Sequence, residues 1–491
     1  MIARILAVAG PMFVYAALAI LAIGIWRERK KLDWAALVPA LAGLAASFAF
    51  LPAVHRLFFD EDIYVNIASN LTRAPVAQIT IFGGPDGPEV SSYYKEPPGW
   101  PVVLSLAFLL AGRTETVAFI AARIMFAIAI AVVYQLARAS LQTRKQAVLA
   151  AILFGAAPVS FWFSPSAGTD LPAVVFAALG MWGCLAGNGP LAAAGLALAA
   201  QTRLELIAIT PLVWLAGKVP LKWKWGVLAL VIAEVAHIGW VMSITPDLAE
   251  AEKVSAAFSA EYAPQNLVEN LRYMVSPFRF PAAMAIAAAL AVVLSIWKKT
   301  REGRGGSTEA TMLLALQAAA LSGIYLLFYA GSFDMNPRYS IQLLAPMAVL
   351  AASVVKRPAL AGVMILSMIA PHIGRDESLA LPRAHRIDHE LSVQFASGLG
   401  SNDLVVSPEP EAFLNQGVKA MNAVFVSELK DELEAQLRSG GKAWYHVGVR
   451  TNDTDSREGR ADRWVKSNFE LHLIDSHEIN GMTVAFYEIL L

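Results

Sequence analysis

For its first three quarters the chain alternates long apolar runs with short polar breaks, and then its pattern changes. Apolar segments of spanning or near-spanning length lie at 2–25, 34–54, 115–137, 146–163, 171–187, 190–202, 203–217, 225–244, 281–297, 310–330, 340–355 and 358–373. An upright bilayer crossing takes about 20 residues, so several of these are short, and 190–202 is the shortest. From about residue 374 the apolar runs shrink to strand length, at Leu404–Val406, Ala443–Val449 and Met482–Leu490. Between them Ser427–Arg438 has a helical pattern, closed by Gly440-Gly441. The pattern predicts an all-α polytopic membrane domain over 1–373, with about 12 transmembrane helices plus juxtamembrane helices. A small soluble α/β domain follows at 374–491.

Composition agrees with that class. Of 491 residues, 57% are hydrophobic and 16% charged, and the mean hydropathy is +0.52. Soluble domains average about 45–50% apolar and about 25% charged residues. The net charge is zero, with 39 basic and 39 acidic residues, which argues against a nucleic-acid partner. The lone Cys184 sits in an apolar run and excludes both an intrachain disulfide framework and a cysteine metal site. The segment 2–25 has no short apolar core ending in a small-residue cleavage site, so it is expected to be a retained helix.

Charge placement sets the expected sidedness. Arg27–Lys31, Arg138–Lys145, Lys218–Lys224, Lys298–Arg304 and Lys356–Arg357 all fall on one side if the twelve segments alternate. That side is expected to be cytoplasmic, with both termini outside. The run at 97–112 opens with three prolines in five positions and is too short to cross, so it is expected to be a juxtamembrane or re-entrant helix. The loop 55–114, the turn 164–170, the loop 245–280, the turn 331–339 and the 374–491 domain then share the external side of the plasma (inner) membrane.

The candidate chemistry gathers there. Asp60-Glu61-Asp62 places three carboxylates in a row before a helix marked by Tyr64, Ile67, Ala68 and Leu71, with Asp60 suited to be its N-cap. Such residues either cap a surface helix or act as a general base or metal ligands. Tyr93-Tyr94-Lys95-Glu96-Pro97-Pro98-Gly99-Trp100 brings a cation, a carboxylate and aromatic rings to a rigid turn. Arg338-Tyr339 puts a guanidinium at the mouth of an apolar helix, where it can snorkel or grip a phosphate. Asp170 and Arg203, with Glu205, lie at predicted helix ends, as ligands or as a salt bridge.

In order along the chain, Asp-Glu-x-x-Tyr, Tyr-x-Lys-Glu-Pro-Pro-Gly-x-Pro, Thr-Asp-x-Pro-Ala (169–173), Thr-Arg (202–203) and Pro-Arg-Tyr (337–339) resemble the GT-C integral membrane glycosyltransferases. The branch most similar is that of protein O-mannosyltransferases and the lipid A aminoarabinose transferase, over about residues 34–373. The resemblance implies an inverting transfer of a sugar from a polyprenyl-phosphate carrier to an unknown lipid, glycan or protein acceptor. It implies Asp60 as the catalytic aspartate with Glu61 beside it. Tyr64, Tyr94, Lys95, Glu96, Asp170, Arg203, Arg338 and Tyr339 are its candidate substrate-binding residues. Two departures stand out: Glu96 is interposed between Lys95 and the prolines, and the helix 2–25 is one extra N-terminal span. Glu61, Asp62 and Glu96 offer an all-oxygen set for Mg or Mn.

A transporter or flippase is the competing class. Its motivation is Glu234 and His237, three apart within one span. Against it, the sequence shows no repeat, and most ionisable residues lie at helix ends. A receptor or scaffold ranks below both. Asn70-Leu-Thr72 and Asn452-Asp-Thr454 fit the glycosylation acceptor pattern.

Overall fold

The computed structural model describes residues 2–56, 59–94, 96–141, 143–244, 257–276, 280–302, 306–369, 383–400 and 402–490. Lys95, residue 374, and residues 245–256 and 277–279 of the 245–280 loop lie outside these. Two units result: the first holds 1–54, 95–102 and 119–379, and the second holds 55–94, 103–118 and 380–491.

The first unit is helical. Among the described residues, four helices are long and apolar enough to cross a membrane: Ala7–Glu28, Glu115–Leu141, Leu221–Ile244 and Glu309–Leu327. Shorter apolar helices account for most other predicted segments, and Gly99–Ala111, at 13 residues, is too short to cross upright. The 203–217 segment is broken: a 3-10 stretch, Leu204–Ile209, meets a single turn, Leu212–Leu215, at Pro211. Proline lacks the amide hydrogen that a continuous helix needs there. Pro158 likewise separates Arg144–Ala156 from Pro158–Trp162.

A tight hairpin of Asp170–Ala186 and Gly189–Thr202 forms the centre of this unit, and nearly every residue in it is buried. Gly187 at φ +70° ends the first helix, and the Asn188 amide donates back to the Gly183 carbonyl at 2.9 Å. The Asn188 side chain then accepts from Leu191 N–H to start the second. Small residues let the two backbones touch: a Cβ on Gly183 would lie 2.3 Å from the Ala192 amide nitrogen. Elsewhere Asp33 accepts from Tyr134 at 2.9 Å and pairs with Arg144 at 2.8 Å and Arg138 at 3.3 Å.

The second unit is built on a seven-stranded sheet. Its strands are β1 (Gln78–Gly84), β2 (Gly87–Tyr93), β3 (Leu404–Ser407), β4 (Lys419–Asn422), β5 (Ala443–Val447), β6 (Glu470–Ile479) and β7 (Met482–Leu490), in the order β2-β1-β4-β3-β5-β7-β6. β3 lies between β4 and β5 and parallel to both, while the other pairings are antiparallel. Leu404, Val405 and Val406 are wholly buried, as a central parallel strand requires. The hairpin β1–β2 closes over Pro85-Asp86, with Gly87 at φ +130°, a conformation that glycine alone adopts readily. It adds to the sheet through Phe82 opposite Met421. The first loop therefore contributes strands to the sheet of residues 404–490 instead of standing alone, because the apolar face of a two-stranded hairpin needs a partner.

Candidate functional site

Helix Phe59–Leu71 is held on β1 by its own polar face. Asn66 accepts from the Thr80 amide at 3.0 Å, and Asn70 donates to the Gln78 carbonyl at 3.0 Å and to Thr80 Oγ1 at 3.1 Å. Asn70 is 2% exposed, so it does not serve as a glycosylation acceptor in the folded chain. The helix starts at Phe59, which puts Asp60 in its first turn instead of at the N-cap. Asp60 is half-buried, whereas Glu61 and Tyr64 are buried.

Glu61 accepts from the Arg56 amide at 2.8 Å, and its other oxygen lies 3.3 Å from His55 Nδ1. His55 Nε2 faces Asp62 Oδ1 at 3.7 Å and Glu115 Oε1 at 3.6 Å. The other oxygen of Asp62 is 3.4 Å from His389 Nε2, and Asn415 donates to Asp62 Oδ1 at 3.1 Å. The two imidazole rings are 4.4 Å apart, centre to centre. Burial opposes the charge on His55, but the carboxylates of Asp62, Glu115 and Glu61 outweigh it and hold its pKa well above the ordinary 6.5. Burial likewise opposes the charge on Asp62, and His55 and His389 outweigh that and hold its pKa below 3.8. The four side chains His55, Asp62, Glu115 and His389 each offer one ligand atom, all within 4.8 Å of one another.

The sheet explains a further set of carboxylates. The chain leaves β3 to one side to make β4, then crosses to the other side to make β5. The carboxyl end of β3 is thus the switch point, where open α/β sheets bind ligands. Glu409 and Glu411 follow it, 5% and 2% exposed, and both feel the charge of Asp62. Burial pushes Glu409 well above the carboxylate range and Glu411 up to about 8. At the same edge His446 bonds Asp388 at 2.9 Å and Ser407 at 3.0 Å, and Asp388 accepts from the Val449 amide at 2.7 Å. This Ser-His-Asp string is fully buried, which marks it as a structural network and not a nucleophile site. A polar cavity of about 160 Å³ also opens in this unit, lined by Asn66, Asn70, Arg73, Arg113, Glu115 and Asn415 among others.

The first unit holds a second cluster. Because the central hairpin is antiparallel, the start of one helix lies beside the end of the other, and Asp170 meets Arg203 there. Arg203 is 7% exposed, pairs with both Asp170 and Glu205 (2.9 Å to the latter), and lies 4.9 Å from the ring centre of Tyr339. Tyr339 stacks on Tyr325 at 5.0 Å, and the guanidinium of Arg338 is 5.3 Å from the same Tyr339 ring. Gln342 donates to the Asp170 carbonyl at 2.9 Å. Asp170, Arg203, Arg338 and Tyr339 therefore lie together, with Glu205 and Tyr325 beside them. Trp100 is fully buried and donates to the Ala167 carbonyl, so it packs the fold. Tyr94 and Glu96 are half-buried, and Lys95 lies outside the described residues.

The fold is similar to that of solved GT-C membrane glycosyltransferases. The Archaeoglobus fulgidus oligosaccharyltransferase, in complex with Zn and sulfate, matches it with a TM-score of 0.50 at 12% identity, over 92% of this chain and 72% of that one. ArnT from Cupriavidus metallidurans bound to undecaprenyl phosphate gives a TM-score of 0.49 at 13% identity, over 92% and 97%. The arabinofuranosyltransferase AftD from Mycobacteria gives 0.48 at 14%, over 93% and 40%. In sequence, residues 95–242 match the family model described as dolichyl-phosphate-mannose-protein mannosyltransferase. No curated protein matches the chain.

His55, His389, Glu115, Glu409 and Glu411 were not singled out from the sequence. One signal was present: His385 and His389 are spaced i, i+4, which puts them on one helix face.

Proposed function

We propose that the chain transfers a sugar from a polyprenyl-phosphate-linked donor to an acceptor hydroxyl at the external membrane face, with inversion. The observation that carries this is the match of residues 95–242 to a model whose description names a dolichyl-phosphate sugar donor. That stretch includes Glu96, Asp170, Arg203 and Glu205. In the reaction the acceptor oxygen attacks the anomeric carbon, the bond to the carrier phosphate breaks, and the acceptor proton goes to a carboxylate. Asp60, half-buried, is assigned as that base, and Glu61, bonded to Arg56 and His55, as a positioning residue. Arg338 is assigned to the departing phosphate, where a cation stabilises the charge that develops. Arg203, already engaged with two carboxylates, positions Tyr339 and Asp170.

The test is transfer of radiolabelled sugar from a polyprenyl-phosphate donor by the purified protein. Asp60→Asn is expected to lower the rate at least about 100-fold, in line with the loss of a general base. Full activity in both Asp60→Asn and Arg338→Ala would overturn the assignment. Lipid scrambling by reconstituted wild type without any transfer would favour a flippase. Sidedness is checked with Asp86→Cys: labelling by an impermeant reagent from outside is expected, since the native Cys184 is buried.

A further inference from the structure

We propose that His55, Asp62, Glu115 and His389 bind one divalent transition-metal ion of the zinc type. The spacing comes first. Zinc bonds to imidazole and carboxylate are about 2.0–2.2 Å, so two ligands on a tetrahedral ion stand about 3.4 Å apart. His389 Nε2 stands 3.4 Å from Asp62 Oδ2, while His55 Nε2 stands 3.6 Å from Glu115 Oε1 and 3.7 Å from Asp62 Oδ1. All four ligand atoms fall within 4.8 Å of one another, so closing on an ion takes side-chain movements of about 1 Å.

The ligand supports point the same way. Glu61 stands 3.3 Å from His55 Nδ1, leaving Nε2 toward the cluster. A carboxylate behind the imidazole is the usual device that fixes tautomer and ring orientation for a metal. Asn415 does the same for Asp62, donating to Oδ1. Glu409 and Glu411, both nearly fully buried, lie close enough to Asp62 to feel its charge. Each has an oxygen with no hydrogen-bond partner among the described residues.

The donor set selects the ion. Two nitrogens and two carboxylate oxygens suit zinc, with iron and manganese as its competitors; magnesium and calcium take oxygen ligands. The set differs from the all-oxygen Glu61, Asp62 and Glu96 expected from the sequence, because Glu61 stands behind His55. His55, His389 and Asp62 are 5%, 8% and 4% exposed, while Glu115 is half-buried and also lines the polar cavity. The ion is reached from that side. It would fasten the start of the first loop, helix Phe59–Leu71, the first turn of Glu115–Leu141 and helix Arg383–Ala396.

The experiment uses the full-length protein in detergent, stripped with chelator and titrated with zinc or magnesium chloride. Metal content is read by elemental analysis, and amide hydrogen exchange is followed over Arg383–Ala396. One zinc per chain and slower exchange in that helix are expected, with magnesium doing neither. Glu115→Gln, a half-buried and fold-tolerant change, is expected to weaken zinc binding at least about 10-fold, and His389→Gln to abolish the stoichiometric site. His477→Gln, on exposed strand β6, controls for incidental histidine binding and should leave the stoichiometry at one. Zinc held equally by wild type and both ligand variants would overturn the proposal, as would a stripped protein that takes up none. Sugar transfer is not part of the readout: a zinc-binding protein without transferase activity would keep this site and sink the transferase assignment.

Discussion

Glu411 is the buried carboxyl whose replacement has the most calculable effect. It is 2% exposed, on the short helix Pro410–Leu414. Burial, reinforced by Asp62, pushes its pKa from the ordinary 4.5 up to about 8, against the pull of its own backbone amide and Arg450. The folded chain therefore keeps a proton that the unfolded chain releases. Stability from this group is intact below about pH 4.5, falls as the pH rises from there, and levels off above about pH 8. At about 1.4 kcal/mol for each pH unit, the gap sets a ceiling of about 5 kcal/mol. Relaxation and water entry bring the expected figure nearer to about 2 kcal/mol. Glu411→Gln keeps the shape and removes the titration. Amide exchange in β3 and β4, compared at about pH 5 and about pH 8.5 with chelator present, reads the difference as local opening free energy. The variant is expected to be about 30-fold better protected at the higher pH and nearly equal to wild type at the lower. Equal protection at both would show that the carboxyl is not desolvated, and the reasoning would fail.

Arg203→Gln leaves buried Asp170 and half-buried Glu205 without their guanidinium and is expected to cost about 3–5 kcal/mol, read as a lower melting temperature in detergent. Adding Asp170→Asn to it should recover part of that loss, and no recovery would mean the pair is not coupled. Gly183→Leu drives a side chain into the Ala192 backbone and is expected to abolish the monodisperse folded protein, whereas Gly239→Ala, with open space around it, should be neutral by the same chromatographic test.

How much of this was legible in the sequence depends on the range of the interaction. Local pattern carried the helices: 171–187 and 190–202 correspond to Asp170–Ala186 and Gly189–Thr202, with Gly187-Asn188 as the turn between them. It failed at 203–217, where apolar residues run on but Pro211 interrupts the backbone. The hairpin β1–β2 had its signals, Ile79 and Ile81 in alternation and Pro85-Asp86-Gly87 at the turn. Its pairing with β4 did not, because nothing local to residues 78–93 names a strand at 419–422. The Asp170–Arg203 pair was within reach because both residues sit at adjoining ends of one hairpin. His55 and His389 were not, since only the folded second unit brings them together.

The run Asp60-Glu61-Asp62 shows why a motif underdetermines a site. On a helix, consecutive residues are about 100° apart, so neighbours in sequence do not share a face. Three carboxylates in a row therefore point different ways, although Glu61 and Asp62 still meet the two nitrogens of one imidazole, His55. Asp60 is half-buried; Glu61 is buried against the Arg56 amide and His55; Asp62 turns to His389 and Asn415. Asp60 and Glu61, expected as a pair, thus stand in different surroundings. It is Asp62, one place further on, that meets the imidazoles and the carboxylates at the end of β3. Shifting the helix by a single residue would exchange all three roles at once. An insertion of one alanine between Phe59 and Asp60 should therefore remove zinc binding and sugar transfer together, whereas Asp60→Asn removes only the transfer.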